Sequence, residues 1–564
     1  MSDELKHECG VALLRLRKPL NAYPEHYGLQ QMALLLEKQH NRGQDGAGIA
    51  ALKIEARPGE PYYQIEKSAD RNPLANVLEQ VWESPFPGDV FLGHLRYGTF
   101  GNQSVDACHP LLKYSVCRNR TLLLAGNFNL TNSSALFEQL TRMGHHLPNR
   151  QDTTILLHQI GHELEKALDA GNPFESDLSV LLSRAAISWD GGFLICGIFG
   201  DGTAFALRDP SGIRPGFYYV DDEVAVVASE RPPIQTGFNV KSHDVKEIPP
   251  GSLLMISSDG KTVEERPCLI PREIRRCVFE RIYFSRGNDC DIQQERRLMG
   301  KHLVPQILDA IDQDYDNTFF SYIPNTAQIS YHGVLDELLH KRNFRFGQVV
   351  FKDAKFRTFI ADANRRKALD MHIYDIVYGL IRPKQDNLVL LDDSIVRGTT
   401  LRNLILKIVD RLEPKKIVLV SAAPPICYPD CYGIDMASMG ELIAFQAVIS
   451  LLRKTGQESL LHECVGCARE DLLKPDTAMR NRVAPLYAAF TFDELCHEIG
   501  LLLTPEGLKA KVTVVFQRLG NLRLCCPEHT GDWYFSGNYP TPGGNRVVNQ
   551  ALVNYCDKIN KRAY

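Results

Sequence analysis

Two places in this chain carry residues whose types and spacing could do chemistry. In KHECGVALL, Cys9 follows a mostly polar eight-residue stretch and opens an apolar run. If residues 1–8 were removed, Cys9 would carry a thiol and a free α-amine together, a nucleophile with its own base, since such an amine ordinarily titrates near pH ~8. Kept internal, it would be a small core hydrophobe. In LVLLDDSIVRGTT, residues 388–400, an apolar run stops at Asp392 and Asp393. Open α/β sheets bind ligands at the carboxyl ends of their strands. There two carboxylates can hold hydroxyls or a metal, and the amides and hydroxyls of the turn that follows can curl round an anion ahead of the next helix. Acids for hydroxyls and amides for phosphate suit a phosphorylated sugar. A lone Asp-Asp pair is more often a capped turn, but the whole run favours the ligand.

The elements that must position these residues fall into two kinds. From Cys9 to about residue 265, short apolar runs alternate with Gly, Asn and Pro: GVALLRL, DVFLGHLRYGTF, TLLLAGNFNL, GGFLICGIFGDGTAFALRD, EVAVVASE, GSLLMISSDGKTV. These read as strands and turns, interrupted by helices at LQQMALLLEKQH and TTILLHQIGHELEKAL. After EERPCLIPREIRR the pattern changes. LMGKHLVPQILDAI reads as a helix, NLVLLDDSIVRGTTLRNLILKIVDRL as strand, loop and helix, and KKIVLVSAAPPI as another strand, which is the order of a parallel α/β domain. The boundary is expected near residues 265–275.

The composition excludes several classes. The chain has 564 residues, 44% hydrophobic and 23% charged, with a net charge of -4, an ordinary globular balance with no basic field for nucleic acid or an anionic membrane. No apolar run approaches the ~18 residues of a membrane span, and MSDELKHE is unlike a secretory signal. Fifteen cysteines without a regular framework read as reduced thiols, so a cytoplasmic protein is expected. CVGC (464–467) with Cys427 and Cys431 gives two short Cys pairs. Zinc needs convergent ligands, and structural thiols are the expectation there.

The 388–400 run resembles the phosphoribosyl-pyrophosphate motif of type I phosphoribosyltransferases, in the version seen in the glutamine phosphoribosylpyrophosphate amidotransferases. CVFERIYFSR, FRTFI, CYGIDMASMGELIA and GNYPTPGG resemble the same family. The resemblance implies that Asp392 and Asp393 hold the ribose hydroxyls and Mg²⁺, with Thr326 of IPNTA at the metal site. It implies that Ser394, Val396, Arg397, Gly398, Thr399 and Thr400 seat the 5′-phosphate, and that Lys355 and Arg357, with Lys352, supply charge from a closing loop.

The N-terminal half is similar to the N-terminal-nucleophile glutaminase domain of that family, through Cys9, NRGQDGAGIA, GHLRYGTFG, HP, GNFNLTN and QDTT. Hydrolysing a carboxamide calls for a nucleophile, a base and donors for the oxyanion. By resemblance Cys9 is the nucleophile, and the Asn127 side chain and the Phe128 amide N–H are the oxyanion donors. Arg96 pairs with the glutamine α-carboxylate, Asp152 takes the α-ammonium and Thr99 positions the same end. The expected fold is an α+β N-terminal-nucleophile glutaminase sandwich joined to an α/β type I phosphoribosyltransferase domain with a parallel sheet. The expected division is a propeptide at 1–8, a glutaminase domain at 9–268, and a phosphoribosyltransferase domain at 269–564 with an insertion near 446–490.

Some positions depart from the family pattern. Phe128 stands where Gly is usual, Asn41 is an extra residue in HNRGQD, and Asp370 and His372 stand where Arg and Lys are common. Some members carry an iron–sulfur cluster on four Cys; Cys277 matches one position, but the C-terminal Cys pair falls on Gly531 and Tyr534, so no cluster is expected. The implied reaction takes glutamine and phosphoribosyl pyrophosphate to 5-phosphoribosylamine, glutamate and pyrophosphate, with purine nucleotides as inhibitors and a homo-oligomer as the assembly. Two other readings compete: an amidotransferase with a different phosphorylated acceptor, motivated by Asp370 and His372, and a non-catalytic sensor of phosphoribosyl pyrophosphate or nucleotides.

Overall fold

The computed structural model describes residues 8–98, 104–169, 174–339, 344–352, 374–434, 436–559 and 561–563. Thr99, Lys355, Arg357, Asp370, His372 and residues 1–7 of the expected propeptide lie outside these.

The first half is two stacked antiparallel sheets. One has seven strands, with Gly10–Leu16 paired between Val224–Ala228 and Val90–Arg96. The other has six, with Leu122–Leu130 paired to Gly191–Phe199. Every residue of GVALLRL is buried, and the two-residue period of a strand shows why. Val11 and Leu13 meet Leu123, Ala125 and Leu194 of the facing sheet, while Ala12, Leu14 and Leu16 turn outward beneath the helix Tyr27–Glu37. On the far side, Leu122 and Leu124 pack under the helix Asp152–Asp169. A strand covered on both faces needs apolar residues throughout, hence the unbroken runs in the sequence.

The second half holds a parallel five-stranded sheet in which Asn387–Asp392 lies between Thr318–Tyr322 and Lys416–Ser421. Leu388 and Leu390 face one apolar cluster, and Val389 and Leu391 the other, as expected of a sheet covered on both sides. The antiparallel sheets end with Val263–Pro267, and the first long helix beyond them is Cys290–Ala310. Residues 446–490 are largely helical, including Glu458–Asp471, which carries Cys464 and Cys467. The segment GNYPTPGG docks back onto the first half: Thr541 Oγ1 donates to Asp190 Oδ1 at 2.5 Å, and the Gly543 amide to Asp190 Oδ2 at 3.1 Å. No helix among the described residues is long and apolar enough to cross a membrane.

Candidate functional site

Cys9 precedes the first strand by one residue, and Arg96 ends its neighbour, so strand pairing brings them to one sheet end. Gly43 lets the NRGQD loop cross there, since a Cβ on it would lie 2.1 Å from the Arg96 carbonyl carbon. Asp152 opens its helix, and its Oδ2 accepts the Leu130 amide at 3.2 Å. Cys9, Arg96, Tyr97, Phe128 and Asp152 then line one small cavity of about 60 Å³. The Cys9 thiol accepts the Tyr97 amide at 3.3 Å. Burial pushes its pKa up, against the Tyr97 contact and the guanidinium groups of Arg96 and Arg42, so an added base is needed to form the thiolate. Burial also raises the Asp152 carboxyl to about 6.

Asn127 is buried, and its Nδ2 donates to the Glu8 carboxylate at 3.2 Å. Phe128 lies inside the extended strand Leu122–Leu130 and has no positive φ. The freedom of Gly is therefore not needed at this position, and the ring instead stacks on His109 at 5.9 Å. His94 and His109 fall in GHLRYGTFG and HP, two of the segments that carry the resemblance, but the sequence assigns neither a role, a lone His on an apolar run being more often core. His94 Nε2 donates to the Gly126 carbonyl at 3.1 Å, and His109 Nδ1 accepts the Gly126 amide at 3.4 Å. His109 Nε2 is therefore the protonated nitrogen and faces Thr153 Oγ1 at 2.6 Å. Burial drives both imidazoles to the neutral form, His94 down to about 3.

The second site forms where Asn387–Asp392 ends. Asp393 is desolvated, which raises its carboxyl pKa, while the hydroxyls of Ser394 and Thr326 donate to it and Arg296 lies near. This places Thr326 at the acid pair. Arg296 is buried and donates to the carbonyls of Arg281 at 2.7 Å and Ser285 at 2.8 Å; it was missed because a single Arg inside a helix carries no local signal. Lys352 sits within electrostatic reach of both acids and over the Tyr374 ring. The turn continues with Gly398 at φ +73°, and Arg397 Nε donates to Glu441 at 2.7 Å. Two carboxylates and a hydroxyl are hard oxygen donors, and Mg²⁺ typically takes one or two carboxylates plus substrate phosphates rather than a full protein cage. The residues therefore fit Mg²⁺, although among the described residues no group of three His, Cys, Asp or Glu is arranged for a metal.

Arg42 joins the two halves of the chain beside Cys9. Its Nε donates to Glu230 at 2.6 Å and its Nη2 to Glu280 at 2.9 Å, with its Nη1 3.5 Å from the Cys9 carbonyl. The extra Asn41 bridges the halves as well, donating to Glu230 at 2.7 Å and to the Phe284 carbonyl at 3.0 Å.

No family model matches the chain. The amidophosphoribosyltransferase of Escherichia coli is 31% identical over 478 residues, covering 81% of this chain and 86% of that protein. That of Bacillus subtilis is 30% identical over 471 residues, covering 80% and 86%. The chain belongs to the amidophosphoribosyltransferase family. A solved glutamine phosphoribosylpyrophosphate amidotransferase from Bacillus subtilis, complexed with ADP and GMP, superimposes with a TM-score of 0.68 at 22% identity, covering 94% of this chain and 97% of that one. A structure described as the allosteric regulatory enzyme of purine biosynthesis gives the same TM-score at 23% identity, covering 94% and 96%. The amidophosphoribosyltransferase fold, a glutaminase sandwich joined to a parallel-sheet phosphoribosyltransferase unit, is thus present over nearly the whole chain.

Within this chain, the positions tied to an iron–sulfur cluster by the resemblance are packed with side chains. Cys277 bridges to Gly531 as a strand neighbour, and its thiol lies 3.4 Å from the Tyr534 hydroxyl with both residues buried. Burial pushes that thiol up to about 12. A four-thiolate cluster does not fit a site where Tyr534 stands in place of a ligand. Cys427 and Cys431 are buried in the same apolar cluster as Cys464, and the Cys427 thiol donates to the Pro425 carbonyl at 3.3 Å; among the described residues no group of three metal-ligating side chains forms there.

Proposed function

We propose that this chain is a glutamine-dependent amidophosphoribosyltransferase making 5-phosphoribosylamine, glutamate and pyrophosphate, the first step of purine synthesis. The observation that carries the reading is the convergence of Cys9, Arg96 and Asp152 in one cavity, in a chain that also presents an acid pair and phosphate turn at the end of a parallel strand.

In this reading residues 1–8 are cut away, and the Cys9 α-amine takes the thiol proton as sulfur attacks the glutamine carboxamide carbon. Arg96 pairs with the α-carboxylate, Asp152 and Thr99 hold the α-ammonium end, and Asn127 with the Phe128 N–H holds the oxyanion. Ammonia leaves, water cleaves the thioester to glutamate, and the ammonia reaches C1 of the ribose through an enclosed passage, because bulk water would protonate it. Asp392 and Asp393 hold the ribose hydroxyls, residues 394–400 seat the 5′-phosphate, and Lys352, Lys355 and Arg357 face the pyrophosphate. Mg²⁺, held by Asp392, Asp393 and Thr326, would supply charge neutralisation to the leaving pyrophosphate. Purine nucleotides are the expected inhibitors. Fifteen cysteines without a regular framework support a cytoplasmic location.

The test is to incubate the protein with glutamine, Mg²⁺ and phosphoribosyl pyrophosphate, follow glutamate and pyrophosphate, and omit each component in turn. Equal pyrophosphate release without any amine donor would mean simple hydrolysis and would defeat the reading.

A further inference from the structure

Glu8, the residue ahead of the nucleophile, is fully buried and closes a cluster of charges that its removal would leave incomplete. Its carboxylate ion-pairs with Arg214, lies 3.6 Å from Arg42 Nη1 and accepts from Asn127 Nδ2 at 3.2 Å. Arg214 is 0% exposed, and its three guanidinium nitrogens make no hydrogen bond among the described residues. Space for it is built in, since a Cβ on Gly433 would lie 2.8 Å from its Nη2. Glu8 is the only carboxylate within ion-pair distance of Arg214 among the described residues.

Glu280 already attracts Arg214 at a distance and Asp209 is taken up by the Arg214 backbone amide at 3.0 Å, but neither Glu230 nor Glu280 can become a direct partner without giving something up. Glu230 uses one oxygen for Arg42 and Asn41, at 2.6 and 2.7 Å, and the other for the Arg286 amide at 2.9 Å. Glu280 gives Oε2 to Arg42 at 2.9 Å and to Ser285 at 2.6 Å, while its Oε1 lies 3.5 Å from Arg42 Nη1. A buried guanidinium without a direct carboxylate partner is unfavourable. We infer that the cut chain carries a carboxylate-binding site beside Cys9, made by Arg214, Arg42 and the Asn127 amide, which Glu8 fills in the uncut chain. The inference rests on the proposed cut between Glu8 and Cys9. Its ligand is a glutamate side-chain carboxylate, whether of the excised leader or of the free amino acid. Since the site uses the amide of Asn127, its occupant would oppose glutamine turnover.

The test uses a chain made to begin at Cys9 by excision of a single initiator methionine, so that leader cutting is not required. Binding of the octapeptide MSDELKHE, of the same peptide with Glu8→Gln, and of free glutamate is measured by calorimetry on this protein and on its Arg214→Gln variant. The octapeptide is expected to bind at least about tenfold more tightly than its Glu8→Gln form and to lose that advantage in the variant. If Arg214→Gln weakens the octapeptide but not glutamate, the leader is the ligand; if it weakens both, glutamate shares the site. Equal binding of both octapeptides to the unaltered protein, or none of either, would overturn the inference, and that comparison stands even if the variant misfolds. Mass spectrometry of active full-length protein separately decides the cut: Met1 or Ser2 still attached would overturn the leader reading and leave the calorimetric result to judge the site.

Discussion

Arg42 and Glu280 form a buried ion pair, 2.9 Å between Nη2 and Oε2, with side chains 1% and 4% exposed. It ties the loop behind Cys9 to the segment leading into the phosphoribosyltransferase half. Although burial opposes charge at both, Glu280 and Glu230 hold the guanidinium protonated, and Arg42 holds Glu280 ionised. Glu280→Gln leaves Arg42 paired with Glu230, so its cost should fall below the figure of about 3–5 kcal/mol for a fully stranded buried charge. It should still lower the urea midpoint, and the surviving folded enzyme should hydrolyse glutamine with less response to phosphoribosyl pyrophosphate. An unchanged midpoint together with an unchanged response would remove Arg42–Glu280 as the link.

Asn127→Ala should lower kcat for glutamine hydrolysis by about 100- to 1000-fold, as for a lost oxyanion donor, with little change in KM. Steady-state glutamate release measures this, and a near-normal kcat would contradict the role given to the amide.

Asp152 gives a pH dependence with a definite sign. Its carboxyl is raised to about 6 by desolvation, so the free enzyme holds the neutral acid below that pH and the carboxylate above it. In the proposed role, only the carboxylate would pair with the glutamine α-ammonium. The value of kcat/KM for glutamine should rise with pH through about 6, and Asp152→Asn should flatten that limb while lowering its plateau. A profile with the same limb in the variant would assign the titration elsewhere.

Gly398→Ala tests the phosphate turn. The residue holds φ +73°, and a Cβ would lie 2.2 Å from Leu503 Cδ2, so the substitution meets both backbone strain and a collision, of order 1–3 kcal/mol. The expected result is a raised KM for phosphoribosyl pyrophosphate with basal glutamine hydrolysis retained. Equal loss of both activities would point to general unfolding, which a thermal scan separates.

The strands and both motif loops were legible because their signals are local. Alternating or continuous apolar runs, a Cys ahead of a strand and two acids at a strand end report backbone geometry within a few residues. Phe128 shows where that kind of reading stops: a non-Gly residue in a Gly position is a problem only if the backbone needs positive φ, and here the strand continues through it. His94 and His109 became site residues only because the two sheets bring Gly126 between them.

By itself the sequence determined the two-part architecture and singled out Cys9, Arg96, Asp152 and the acid pair with its following turn as the candidate site residues. Tertiary structure alone decided the partners of the buried charges. Glu8 with Arg214, Arg42 with Glu280 and Asp393 with Arg296 each join segments far apart in the chain. Which buried ions meet depends on how sheets and domains pack, and no periodicity along the chain encodes that. The low polarity of the interior then makes each such meeting energetically decisive.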